Sequence, residues 1–140
     1  MTERIEEFLG QALAECREKG YVRTILGRRR AISGVREGAG RQRNLAERTA
    51  VNTVIQGSAA DLIKLAMVAI HRRLRNEHLP ARMLLQIHDE LIFEVPAVQL
   101  HQLAELVTEE MVGVYALNVP LKVDVKAGPN WAAAEAVDSD

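Results

Sequence analysis

Ala81-Arg-Met-Leu-Leu-Gln-Ile-His-Asp-Glu-Leu-Ile-Phe-Glu-Val95 is the stretch whose reading decides the fold. It is rich in Leu, Ile, Val and Phe, and is broken by His88-Asp89. The reading is two strands joined by a tight turn, because His and Asp are among the few non-glycine residues that tolerate the positive φ such turns can demand. Leu85 is expected opposite Ile92 and Leu84 opposite Phe93, which makes both faces mostly apolar. A hairpin of that kind belongs in the middle of a sheet, covered on at least one side.

Helical patterns flank the hairpin. Upstream, a long tract from about Asn44 to His78 carries Leu62, Leu65, Ala66, Ala69, Ile70 and Leu74 at helical intervals. Gly57-Ser58 should mark a bend in it, since both residues weaken a helix interior, and Pro80 closes it. Downstream, Leu100, Leu103, Val107, Met111 and Val114 mark a helix within 97–115. Leu121-Lys-Val-Asp-Val-Lys alternates as a half-buried strand does. At the N-terminus, Ile5, Phe8, Leu9, Ala12, Leu13 and Cys16 predict a helix from Thr2 to Lys19 with Gly20 as its stop. Tyr21-Val-Arg-Thr-Ile-Leu with Gly27 and Arg28-Arg-Arg-Ala-Ile suggests a basic hairpin, and residues 33–40, with three glycines, a loop. The expected fold class is α+β, an antiparallel sheet packed against long helices, with the basic hairpin and loop near the N-terminus.

The chain has 140 residues, 48% hydrophobic and 26% charged, as an ordinary globular domain does. No uninterrupted run approaches the roughly 18 apolar residues that span a bilayer, and the acidic N-terminus does not read as a signal peptide. No membrane partner is expected. The single cysteine, Cys16, excludes an intrachain disulfide and reads as a packing residue. Net charge is −1, but residues 17–48 hold ten Lys/Arg against three acids, and residues 77–140 hold three against eleven. The split suggests a basic surface for a polyanion beside an acidic region that can hold cations; two solvated faces of opposite sign are the alternative.

Three groups of residues can carry chemistry. Asp89 and Glu90 sit at the expected hairpin tip, where a rigid backbone can offer hard oxygen ligands to Mg2+ or Mn2+; a solvated acidic turn is the competing reading. No second His or Cys stands at zinc-ligand spacing. Arg48, Asn52 and Gln56 are each four residues apart, so they share one helix face with a drift of only about 80°. All three donate hydrogen bonds, and the minor groove presents acceptors largely regardless of sequence. The alternative is a polar stripe facing solvent. Arg28, Arg29 and Arg30, with Arg36, Arg41 and Arg43, surround the glycine-rich loop and favour phosphate contacts, which give affinity without sequence choice.

The residues also carry a resemblance. Arg41-Gln-Arg-Asn-Leu-Ala-Glu-Arg-Thr-Ala-Val-Asn-Thr-Val-Ile-Gln-Gly-Ser-Ala-Ala-Asp-Leu-Ile-Lys resembles the helix that follows the fingers in family A DNA polymerases, the DNA polymerase I type. Leu85-Gln-Ile-His-Asp-Glu-Leu-Ile-Phe-Glu-Val is similar to that family's motif C. Gly20-Tyr-Val-Arg-Thr-Ile-Leu-Gly-Arg-Arg-Arg, and Val119-Pro-Leu-Lys-Val-Asp-Val with Gly128 and Trp131, match its order and spacing. The resemblance implies a palm segment with motif C, template-directed nucleotidyl transfer to a primer 3′-hydroxyl, and two Mg2+ ions. It implies Asp89 as a metal ligand, Glu90 as a weaker partner and His88 close to the primer terminus. Arg48, Asn52 and Gln56 would meet the primer–template minor groove, and the arginines its phosphates. Primer–template DNA and dNTPs are the implied partners, and a cytoplasmic, bacterial nucleoid-associated location is implied with them.

By the same resemblance, residues 1–48 are the end of the fingers, 49–131 the palm segment and 132–140 an acidic tail expected to be disordered. The family's motif A carboxylate and its nucleotide-gripping fingers helix do not occur in these residues. The chain alone is therefore expected to be inactive, with the rest of the polymerase as its missing partner and self-association of exposed apolar surface as a further expectation. A non-catalytic DNA-binding remnant, or one piece of a split polymerase, is the alternative function. A stand-alone metal nuclease is disfavoured for want of further acidic ligands.

Overall fold

The computed structural model describes residues 2–36 and 40–137, which form helices and three small antiparallel sheets. The chain divides into two compact units, Met1–Asp61 and Leu62–Asp140.

In the first unit, α1 (Thr2–Lys19) ends where Gly20 enters the left-handed region at φ 77 and its N–H reaches Cys16 O at 2.7 Å. Only glycine adopts that conformation without a steric cost, which is why the stop could be read in the sequence. The strands β1 (Tyr21–Arg23) and β2 (Arg29–Ala31) pair antiparallel with Val22 opposite Arg30. Their connection turns at Gly27, φ 79, whose N–H donates to Thr24 O at 2.8 Å. Cys16, Val22, Ile32, Val35, Ala46 and Ala50 make the core. Cys16 is fully buried and burial pushes its thiol up, so it is the inert packing residue its isolation suggested. Of the glycine loop, residues 37–39 lie outside the described residues.

Helix α2 (Arg41–Asn76) is α-helical through Gly57-Ser58, so whatever bend these residues make does not break it. Gly57 has another reason to be a glycine: a Cβ on it would stand 2.7 Å from Thr24 Cγ2. Close approach of Thr24, the residue after β1, requires the missing side chain. The helix also ends before Pro80. His78 takes φ 52, and the Leu79 N–H reaches back to Leu74 O at 3.1 Å, a left-handed cap made by histidine. By length and composition α2 could cross a membrane, a match that a search for uninterrupted apolar runs overlooks. It carries buried Asp61 and contributes Ala46 and Ala50 to one core and Ala66, Ile70 and Leu74 to the other, as a core helix does.

In the second unit, β3 (Arg82–Ile87) and β4 (Glu90–Glu94) form the expected hairpin, turning at His88-Asp89. Leu85 faces Ile92 as expected, but Phe93 faces Met83: the register shifts between Met83 and Leu85, and Leu84 is the extra residue of a bulge. The shift matters for burial. Met83, Leu91, Phe93 and Val95 pack on the core of Ala66, Ile70, Leu74, Leu79, Leu103, Leu106 and Val107, while Leu84 and Leu85 stay half-exposed. The hairpin is not central in a sheet; among the described residues it is a two-stranded sheet of its own.

A 3-10 turn (Ala97–Gln99) leads into α3 (Leu100–Val112), which buries Leu103, Leu106 and Val107. Arg73 of α2 donates to Glu109 at 2.7 Å, Glu77 at 2.8 Å and Glu110 at 3.2 Å; these carboxylates raise its pKa, Glu109 most. The strand expected at 121–126 is reduced to β5 (Lys126–Ala127), paired with β6 (Glu135–Ala136). Leu121, Val123 and Val125 are partly buried and Lys122 and Asp124 exposed, so the alternation holds, but among the described residues 121–125 form no strand, and only Val125 O takes a cross-chain bond, from Val137 N–H at 3.0 Å. Period-two patterning decides which way side chains face; a strand also needs a neighbour. Of the acidic tail, 138–140 lie outside the described residues.

Candidate nucleic-acid and metal-ligand residues

In the first unit, α2 carries Arg48, Asn52 and Gln56 on one face, all exposed. Among the described residues no hydrogen bond or ion pair engages their side chains, so their donors are available to a ligand. The arginines nearby behave differently from the mobile set that the glycine-rich sequence suggests. Arg28 is ion-paired with Asp61 at 2.8 Å and also donates to Gly57 O. The Arg29 guanidinium lies 5.0 Å from the ring centroid of Tyr21, a cation–π contact. Arg30 donates to Thr53 Oγ1 at 3.1 Å, Arg36 to Arg17 O at 3.0 Å, and Arg43 to Glu47 at 3.2 Å. Arg41 alone of the six has no such partner among the described residues. Glu47 takes Arg17 at 2.6 Å as well, and the Arg17 hydrogen bond, followed by that from Arg43, holds its carboxyl below the usual glutamate range.

In the second unit, His88 opens the turn at φ 53, and Gln86 Nε2 donates to its carbonyl at 3.0 Å. The pairing of Ile87 with Glu90 closes the two-residue connection, with Asp89 in the turn and Glu90 opening β4. Both are exposed and without a side-chain partner among the described residues. No group of three or more His, Cys, Asp or Glu able to hold a metal ion occurs among the described residues. Mg2+ demands near-octahedral oxygen coordination and usually takes one or two carboxylates plus water and phosphate oxygens. The pair has the right donor chemistry and can supply part of such a shell. Two neighbouring carboxylates fall short of a full shell for even one ion, so other oxygens must complete it.

The profile of DNA polymerase family A matches residues 1–133. The chain belongs to DNA polymerase family A. It is 47% identical over 131 residues to DNA polymerase I of Geobacillus stearothermophilus, covering 94% of this chain and 15% of that protein. With the thermostable DNA polymerase I of Thermus aquaticus it shares 45% over 132 residues, 94% of this chain and 16% of the other. Among solved structures, the POL domain of Pol1 from M. smegmatis, in complex with DNA primer-template and dNTP, superposes with a TM-score of 0.79 at 42% identity. That match covers 84% of this chain and 21% of the other. The chain thus spans about 15% of the length of the curated family A polymerases it matches.

Sequence reasoning missed Ser58 and Asp61 as partners of the basic hairpin, and Thr24 as the hairpin residue that meets Asp61. Asp61 follows Gly57 by four residues on an otherwise apolar stretch, the only local sign of a buried polar contact. Its partners Thr24 and Arg28 lie 37 and 33 residues away.

Proposed function

We propose that this chain is the motif C-bearing palm segment of a template-directed DNA polymerase that extends a primer 3′-hydroxyl with dNTPs. Residues 1–48 then belong to the end of the fingers, 49–131 to the palm and 132–140 to the tail, and the enzyme is cytoplasmic and associated with the nucleoid. The observation that supports the reading best is the rigid hairpin tip bearing Asp89-Glu90 in a chain about 45% identical to DNA polymerases I over nearly its whole length.

Asp89 would hold the catalytic Mg2+, and Glu90 a bound water or the second position. When bound, the ions neutralise charge on the attacking and leaving oxygens of the phosphoryl transfer. Holding and orienting the duplex falls to the chain's own residues. Arg48, Asn52 and Gln56 donate to minor-groove acceptors common to all base pairs, so they hold a duplex without reading its sequence. His88, at the same tip, is placed to meet the primer terminus. Arg28, Arg29, Arg30, Arg41 and Arg43 supply the positive field that draws in phosphates.

Two neighbouring carboxylates anchor two ions poorly, so these 140 residues by themselves are expected to be inactive. Primer extension with dNTPs and Mg2+ tests the reading. The chain alone should not extend a primer, and mixing it with a segment carrying motif A and the fingers helix should restore extension. A mixture that stays inactive, with both segments folded and the chain still binding duplex, would favour a non-catalytic DNA-binding role. Half-exposed Leu84 and Leu85 on a two-stranded sheet with free edges also make self-association the expected behaviour, read by light scattering. A strictly monomeric species at high concentration would remove that expectation.

A further inference from the structure

The β1–β2 hairpin is fastened to α2 by polar groups that have no role in metal binding or groove contact. Asp61 is only 6% exposed. Thr24 donates its hydroxyl proton to Asp61 Oδ2, and Arg28 Nε donates to Oδ1 at 2.9 Å. Arg28 also donates to Gly57 O at 3.2 Å, and Ser58 Oγ accepts the Ile25 N–H at 2.9 Å. Asp61 is buried but the Arg28 side chain is 55% exposed, so water screens the pair on one side while Asp61 still loses its hydration, and the pair is a poor means of stabilising a fold. What a fully satisfied pair does impose is a single geometry.

That geometry lies against the donor face. Thr53, Gly57 and Asp61 are four residues apart and form the stripe of α2 beneath the hairpin. Asn52 and Gln56 each precede a member of that stripe by one residue, which puts their face about 100° around the helix. Arg30, bonded to Thr53 Oγ1, therefore borders the face that carries Asn52 and Gln56.

We infer that Asp61 is a positioning residue for duplex binding: by clamping Thr24 and Arg28 it holds the basic hairpin beside the Arg48–Asn52–Gln56 face, so that phosphate and groove contacts form one preorganised surface. The inference rests on the DNA-binding part of the proposed function. Simple electrostatics opposes it in sign. Removing a negative charge near a polyanion site should tighten binding, whereas removing a positioning residue should weaken it.

The test is fluorescence anisotropy of a labelled duplex titrated with the full chain at several salt concentrations, with a thermal melt of each variant. Asp61→Asn should raise Kd about 5- to 10-fold and flatten the salt dependence by about one phosphate contact. Thr24→Val leaves every charge in place and keeps a branched side chain against Gly57. It should raise Kd about 3-fold, and Thr24→Ser, which keeps the hydroxyl, should restore parent binding. A purely structural Asp61 would lower the melting temperature and leave Kd and the salt slope of the folded protein unchanged. That result, or tighter binding by Asp61→Asn, overturns the inference. If Asp61→Asn fails to fold, the Thr24 pair decides by the same criteria. A parent chain that does not bind duplex even at low salt defeats the DNA-binding reading itself, and this inference with it.

Discussion

In the unit Met1–Asp61 most charged groups of the candidate surface, Arg41 and Arg48 excepted, are held by the chain itself, whereas in Leu62–Asp140 the candidate ligands are not. Arg28, Arg30 and Arg43 each have a partner within the first unit, and Asp61 is bonded to Thr24 and Arg28. Asp89 and Glu90 stand on an ordered turn, but no other side chain of the described residues meets them. The difference comes from what each ligand needs. Phosphates along a duplex are spread out, and one hairpin laid on one helix can meet several of them. A divalent ion needs several oxygens converging on a point, and two carboxylates supply only part of that set.

The largest effect that would sharpen this contrast is on catalysis. In a reconstituted mixture, Asp89→Ala should reduce primer extension by at least about 100-fold, the scale on which transition-state charge stabilisation is lost. Glu90→Ala should cost about 10-fold, as a group outside the direct coordination shell does. Gln56→Ala should weaken primer handling and leave metal binding alone. If the Asp89→Ala mixture extends primers like the parent, the hairpin tip is not the catalytic half of the molecule.

A smaller effect probes the anchored unit. Gly57→Ala gains about 1 kcal/mol of helix propensity, but its Cβ would meet Thr24 Cγ2 at 2.7 Å. Thr24 is buried and bonded to Asp61, so it cannot swing aside, and overpacking of this kind costs about 1–3 kcal/mol. A net loss on the order of 1 kcal/mol is expected in urea unfolding. A stabilised variant would show that the hairpin is not pressed against the helix.

The smallest effect is on pH dependence. Glu47 has its carboxyl lowered by Arg17 and Arg43. A folded-state pKa below the unfolded one gives stabilisation that is complete above the ordinary glutamate range and lost as pH falls through the lowered value. Glu47→Gln should therefore flatten the acid side of the stability profile slightly, and the shift should shrink in high salt because the pair is exposed. Equal acid profiles for parent and variant would show that the Glu47 pair contributes nothing to acid stability.

The sequence by itself determined the local elements and their chemistry. Gly20 and Gly27 mark their turns because their φ values of 77 and 79 are cheap only for glycine, and His88 marks the tip because histidine tolerates a positive φ. Four-residue spacing put Arg48, Asn52 and Gln56 on one face because an α-helix turns about 100° per residue. Only the tertiary structure decided the rest. Whether Gly57 breaks a helix or admits a neighbour depends on Thr24, a residue distant in the chain. Whether Leu84 pairs or bulges depends on how Met83 and Phe93 reach the core, and whether 121–125 becomes a strand depends on a neighbour to bond. Asp61 shows the division most clearly. Its type and helical position were legible, but a carboxylate becomes buried and paired only when residues distant in the chain, here Thr24 and Arg28, are brought to it by the fold.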